Sequence, residues 1–503
     1  MQRRPRLRAA FLIVLAVAAI GLSASGAAGQ QQTDLVWPQF QGGSGHAGSL
    51  PDGAQPPYRV RWTLPPPAGE ALSAAIVVGE QAISVGSHAV YGIDLATGKL
   101  VWNIPRAGGA LSAPAAASLE GRDVLLYLEG PMPAASPTTP TVTPTPATPS
   151  ASPSGTGEPD TEGVASLVAV DLADRSELWR MPLLAPSRSG VTIAGEVVYV
   201  GYRDGNVSAF SLADGEQIWT AEVPGRVDAP VAVDGEAVYT VVRDLDEVRV
   251  SILALDASSG ERTWAVGIQT SSTAGSAPSV GAAGVIVGSA DRVVRELGAV
   301  DGEQVWSSLV LSLFSPSTSP AVAEDGVFVA DVSGGLYRLD TADGERRWSY
   351  QFNEVVIRSA PVVSGSTVLL GLDDGRLVAV DAERGRLIWQ SAPSPGALGA
   401  IALSSDTIVA VRAGEQGGLI AFEHDPSGSL IDEPSPTELV AGTTLGRYAM
   451  AAAIIFVLAL VPGLVLAKRA GPAQLEPSAD GEPPDPDEKQ IESGDANDER
   501  DDG

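Results

Sequence analysis

Eight tryptophans stand at nearly regular intervals in this chain: Trp62, Trp102, Trp179, Trp219, Trp264, Trp306, Trp348 and Trp389. The steps between them are 40, 77, 40, 45, 42, 42 and 41 residues. A fixed period in so scarce a residue marks an internal repeat, which decides the architecture before domain counting by length does. The one long step contains a Pro/Thr/Ser-rich stretch, 131–163, and without those 33 residues it shortens to 44. The repeat resumes in phase, so the stretch reads as an extruded disordered loop inside one unit, of a composition suited to O-glycosylation, rather than as a linker between domains. A period of 40 to 45 residues with β-like patterning is that of four-stranded propeller blades.

Within each period the same elements recur, as in YGIDLATGKLVW, LYRLDTADGERRW and LVAVDAERGRLIW. Eight residues before the Trp, five of the seven complete units carry Asp: Asp94, Asp171, Asp256, Asp340 and Asp381. Four residues before it, six carry Gly: Gly98, Gly215, Gly260, Gly302, Gly344 and Gly385. The chemistry is that of a turn. An alternating apolar strand ends at an Asp whose carboxylate can accept turn N–H groups, and Gly supplies positive φ before the next strand. The Trp lies in that last strand, where a large flat ring can fill the wedge between blades. Two further apolar strands precede each unit, so each period holds four. The 56 Gly and 38 Pro agree with a turn-rich β chain.

Sets of the first three strands number eight, the last between Gly399 and Glu423, and that set has no Trp strand after it. The segment YRVRWTL at 58–64 is a Trp strand with nothing before it. The expected fold is therefore all-β: an eight-bladed β-propeller over 30–424 in which the N-terminal strand completes the last blade and removes an exposed sheet edge.

The pattern A-x-D-x-x-x-G-x-x-x-W, read in AVDAERGRLIW at 379–389 and ALDASSGERTW at 254–264, resembles the pyrroloquinoline-quinone-like (PQQ-like) propeller repeat. The opening WPQFQGGSGHAG at 37–48 is similar to that family's lead-in. The resemblance covers 37–424 and is specific for fold, not function. It admits quinoprotein dehydrogenases, a scaffold of outer-membrane protein assembly, and sensor ectodomains. For a dehydrogenase it implies large insertions between blades, a calcium site of carboxylate and amide ligands, a catalytic Asp and often a cysteine pair against the cofactor. The chain has no Cys and its one long insertion is low-complexity, so no catalytic residue, cofactor or metal is expected.

The flanks place the ring. Arg3, Arg4, Arg6 and Arg8, an apolar run over 9–22 and small residues to 29 make a secretory signal peptide over 1–29, with an uncleaved anchor as the alternative. The segment 447–467 is uncharged over its last twenty residues, about the length a transmembrane helix needs. Pro462 and Gly463 are tolerable in such a span, and Lys468 with Arg469 puts the C-terminal side in the cytoplasm. A stalk over 425–446 joins ring to helix, and the tail over 468–503 should be acidic and disordered. The expected location is a cell membrane, single-pass, with the propeller extracellular. The formal charge of −29 opposes binding to nucleic acid.

Other motifs are sparse. His46, His88 and His424 lack ligand spacing and read as surface or turn residues. Asp244, Asp246 and Glu247 lack the glycine and spaced oxygens of a calcium loop and read as a solvated hairpin tip. The loops leading from each Trp strand to the next blade should gather on one face, and three carry arginine: Arg188, Arg226 and Arg358. Converging guanidinium groups there could hold an anionic ligand or acidic peptide, with Phe314 adding an apolar contact. The function expected is a non-catalytic, membrane-anchored extracellular binding module or scaffold for protein or cell-envelope ligands. A quinone-dependent oxidoreductase and a ligand-sensing ectodomain are the alternatives. Deleting 30–65 should open the ring and destabilise all of it, whereas deleting 131–163 should leave it folded; thermal melts of the two variants check this, and equal tolerance would refute the closure.

Overall fold

Each repeat folds into one antiparallel sheet because its own turns dictate the reversals. Asp94 accepts the Thr97 N–H at 2.8 Å, and Asp256 accepts those of Ser258 and Ser259 at 3.0 and 2.9 Å. Asp171, Asp340 and Asp381 do the same for Ala173, Ala342 and Glu383. Hydroxyls of Thr97 and of Ser258 and Ser259 hold the Asp94 and Asp256 carboxyls below the usual range, and the Arg347 guanidinium does so for Asp340.

The computed structural model describes residues 35–130, 165–244, 249–269, 276–289, 291–310, 319–324, 326–357, 359–414 and 417–431. The signal segment 1–29, the insertion 131–163, the span 447–467, the tail 468–503 and most of the stalk lie outside the described residues, as do Phe314, Arg358, Asp246 and Glu247. Among the described residues no helix is long and apolar enough to cross a membrane.

Eight sheets form the ring. Blade 1 runs Ile76–Val78, Gln81–Val85, Ala89–Asp94 and Leu100–Pro105 from axis to rim, and blade 6 runs Ala321–Ala323, Gly326–Ala330, Gly335–Leu339 and Arg346–Gln351. Blades 2, 3, 4, 5 and 7 repeat this order, with innermost strands Ala115–Leu119, Val191–Ala194, Ala232–Val233, Ser279–Val280 and Val362–Ser364. The eighth takes Leu398–Leu403, Thr407–Arg412 and Gly418–His424 from one end of the sequence and Tyr58–Leu64 from the other. Tyr58 pairs with His424 and Leu64 with Leu419, so the ring is closed by an antiparallel ladder between residues more than 350 positions apart. The core is distributed around the ring rather than central. Ile83 and Val90 of blade 1 pack with Leu125 and Val168 of blade 2, and comparable clusters fill the other wedges.

Trp and Gly cooperate across those wedges. The indole N–H of Trp219 donates to the Ala257 carbonyl of the next blade at 3.0 Å, and Trp62, Trp179, Trp264, Trp306 and Trp348 make the equivalent bond to Leu95, Leu212, Ala299, Thr341 and Ala382. The glycine that follows stands beneath the ring: a Cβ on Gly260 or Gly302 would lie within 2.6 Å of Trp219 or Trp264. These glycines have φ near +70°, so turn geometry and ring contact exclude a side chain together. Blade 2 has Arg175 at this place, with φ of +65°. There the preceding Trp102 turns back over Gly92 of its own blade and donates to Gln81 Oε1 at 2.6 Å. At the seam, Tyr58 meets Trp389 edge-to-face at 5.1 Å.

The axis is occupied by the chain itself. The inner edge of each innermost strand faces the channel, and segment 37–50 accepts N–H groups from seven blades in chain order. The Val77 and Ala116 amides bond the carbonyls of Trp37 and Pro38 at 2.9 and 2.8 Å. The Ile193 amide bonds Gln39 Oε1 at 2.8 Å. Those of Val233, Val280, Val322 and Val363 bond the carbonyls of Ser44, Gly45, Ala47 and Gly48 at 2.8, 2.7, 2.7 and 2.8 Å. Ser49–Leu50 then extends blade 7 as a parallel strand against Val362–Ser364.

Gly344→Ala should destabilise the ring by about 2 kcal/mol or more, since it sets a Cβ against Trp306 at a positive φ, while Arg175→Gly should be neutral or stabilising. Denaturant unfolding of the two variants measures both.

Candidate ligand pocket at the mouth of the ring

The connectors from each outermost strand to the next innermost strand end beside the axis on one face. A cavity of about 340 Å³ lies among them. It is lined by Ala74 and Ala75, by Leu111, Ser112 and Ala113, by Arg188 and Ser189, by Asp228 and Pro230, by Ser359 and Ala360, and by Ala400 and Ile401. Trp37, Phe40 and Gln41 of the axial segment complete it. The wall is thus mostly small apolar side chains with aromatic rings and a few polar groups, the usual make-up of a small-ligand pocket.

A recurrent serine shapes this mouth. Ser189 accepts the Gly201 N–H and Ser359 that of Gly371, both at 3.1 Å, and Ser276 accepts that of Gly288 at 2.7 Å. Each ties a connector to the second strand of its blade, twelve residues on. Ser276 and Ser359 each open a Ser-Ala-Pro tripeptide, which stands also at 112–114, whereas Ser189 is followed by Gly-Val.

Of the three arginines expected to converge, Arg188 lines the cavity and is exposed. Arg226 does not: it begins the short strand Arg226–Val227, which pairs with Ala237–Asp244. Arg358 lies outside the described residues. The wall instead presents a carboxylate, Asp228, clamped by Arg243 at 2.8 Å and Arg203 at 3.4 Å. Where the described residues reach, the wall on blades 3 and 4 thus carries mixed charge, Arg188 with Asp228. His46, expected at the surface, is buried at the axis. Its ring meets Phe40 edge-to-face at 5.1 Å, and its Nδ1–H donates to the Pro278 carbonyl at 2.9 Å. Burial holds its imidazole down at about 4. His88 and His424 are exposed, with Nδ1 of His88 against Glu70 and of His424 against the Gln55 carbonyl. Asp244 ends the second strand of blade 4.

The residues present do not fit a quinone held on calcium. Asp228 is the one carboxylate of the wall and two guanidinium groups already engage it, while among the described residues no group of three or more His, Cys, Asp or Glu could hold a metal ion.

The geometry defines an eight-bladed β-propeller plugged on its axis by its own N-terminal segment and carrying a small pocket at one mouth. A family model described as outer membrane protein assembly factor BamB matches residues 164–289 and 249–431, and the chain belongs to this PQQ-like β-propeller family. No curated protein matches it. Among solved structures it is similar to BamB from Moraxella catarrhalis, at 16% identity over 73% of this chain and 100% of that one, with a TM-score of 0.51. It is also similar to quinohemoprotein alcohol dehydrogenase from Comamonas testosteroni, at 12% identity over 83% and 85%, with a TM-score of 0.53. The computationally designed Ika8 protein matches at 14% identity over 71% and 96%, also at 0.53. Likeness at these identities is likeness of fold.

Folded His46 resists protonation, while the unfolded chain takes up a proton near the ordinary value of roughly 6.5. Stability should therefore fall as pH drops from about 6.5 towards 4, by about 3 kcal/mol in all, with no further loss from this group below that. His46→Asn, which keeps an N–H donor and tolerates the φ of +55°, should flatten the slope in denaturant unfolding over that window.

Proposed function

We propose that the ring is a non-catalytic binding module, held outside a cell membrane by the span at 447–467, whose mouth pocket receives a small, mostly apolar part of a protein or cell-envelope ligand. The observation that carries this reading is the make-up of the pocket: five inter-blade connectors supply mainly Ala and Ser, the innermost strand of blade 8 adds Ala400 and Ile401, and the axis beside them is filled by Trp37, Phe40 and Gln41. Such a wall offers shape, hydrogen bonds and one exposed guanidinium. Among the described residues it offers no nucleophile beside a base, and its one carboxylate, Asp228, is paired with two arginines. A scaffold role accords with the BamB description of the matching family model. Anchoring rests on the uncharged span and the basic pair behind it.

Titrating the chain with pyrroloquinoline quinone and calcium, followed by absorbance, should give no stoichiometric complex and no dye-linked alcohol oxidation. Tight one-to-one binding would overturn the non-catalytic reading. In cells, cross-linking through a photo-reactive group placed at Leu111, on the pocket wall, should capture one defined partner that is lost in Arg188→Glu. Capture indifferent to that change would remove the pocket from the binding site.

A further inference from the structure

The ring axis holds an organised polar site. Each innermost strand has one edge paired within its blade and the other turned to the channel, where an N–H without an acceptor would be costly. Seven of these N–H groups point at acceptors on one short segment, which turns at Phe40–Gly42 and again at Gly43–His46. The order is strict: residues 37 to 39 serve blades 1 to 3, and residues 44 to 48 serve blades 4 to 7.

We propose that the axis is a binding site for one peptide in a turned, compact conformation, filled here by residues 37–50, and that this segment templates the order and closure of the blades as they fold. Its sequence fits that seat in detail. A Cβ on Gly45 would press on Val280 at 3.1 Å, and Gly48 sits at φ of +60° against Gln41. Gln39 exchanges two hydrogen bonds with the Ile193 backbone, at 2.8 and 3.0 Å, and His46 reaches the Pro278 carbonyl. The same arm continues into Tyr58–Leu64, the strand that closes blade 8, so template and latch are one piece of chain. Because the arm precedes every blade in sequence, each blade can dock on it in turn. Pairing the two ends of a chain this long would otherwise carry a large loop-closure cost.

The test replaces 37–50 in the full chain with a Gly/Ser linker of equal length and follows refolding from urea, with and without a synthetic peptide of sequence WPQFQGGSGHAGSL. The yield of monomeric ring should drop by about tenfold and return when the peptide is present, with one labelled peptide bound per ring. A peptide carrying Gly45→Val should restore little. Refolding that is unimpaired without peptide, or a ring that forms and takes up none, would overturn the proposal. Should the linker variant not fold under either condition, a protease site after exposed Asp52 in the otherwise intact chain decides the matter. After cleavage of the folded protein, the freed segment should stay with the ring through gel filtration, and removing it in urea should lower the refolding yield until it is added back. Refolding indifferent to the segment sinks the idea.

Discussion

An indole ring laid on the turn glycine of the following blade is the contact on which the rest of this ring depends. It joins neighbouring sheets by one hydrogen bond and a flat apolar face, as for Trp219 on Gly260 and Ala257. The lever arm from blade to blade is thereby the same at each such wedge, and equal wedges are what allow eight sheets to close. The exceptions obey the same rule. Where Arg175 stands in place of the glycine, Trp102 folds back onto Gly92. At the seam no turn of the usual kind follows Trp389, and Tyr58 of the closing strand supplies the facing surface instead.

Closing a ring in this way leaves a second problem at its centre. Eight inner strand edges converge on one axis. The N-terminal segment answers it by presenting acceptors one at a time, and Gly42, Gly45 and Gly48 let it pass close to Trp37, Val280 and Gln41. At the mouth, five connectors, the innermost strand of blade 8 and the start of the plug meet. The pocket thus takes part of its wall from the plug, through Trp37, Phe40 and Gln41.

The ring was legible in the sequence because its determinants are local and repeated. Asp at the strand end, Gly in the turn and Trp in the last strand act within twelve residues, so each copy restates the same geometry and the period survives even a 33-residue insertion. The closing strand was legible by subtraction, as a Trp strand without a blade. The axial segment was visible as a motif but not as a plug, because its partners are remote: Gln39 reaches Ile193, 154 positions on, and His46 reaches Pro278, 232 positions on. A histidine beside small residues looks solvated until the ring is built round it. Of the three arginines assigned to one face, Arg188 lines the pocket and Arg226 does not. Loop residues can be assigned to a face from topology, but whether Arg226 turns to the axis or into a short strand, and whether Asp228 joins it, depends on pairing with Ala237–Asp244.

The charge of the body invites a field argument that the structure redirects. Many of its carboxylates have a task within the turns. Besides the five aspartates of the repeat, Asp174, Asp214, Asp234, Asp301, Asp343 and Asp425 each accept a backbone N–H two residues on. Building one Asp-capped reversal again and again accumulates negative charge whatever the partner is. Acidity is then a by-product of the repeat, set by turn chemistry, and tells little about what the ring recognises. Selectivity has to come from the residues that do not repeat. At the mouth these are Leu111, Arg188 and Asp228, each on the connector of a different blade, and their asymmetry is what can distinguish one ligand from another on an otherwise pseudo-symmetric ring.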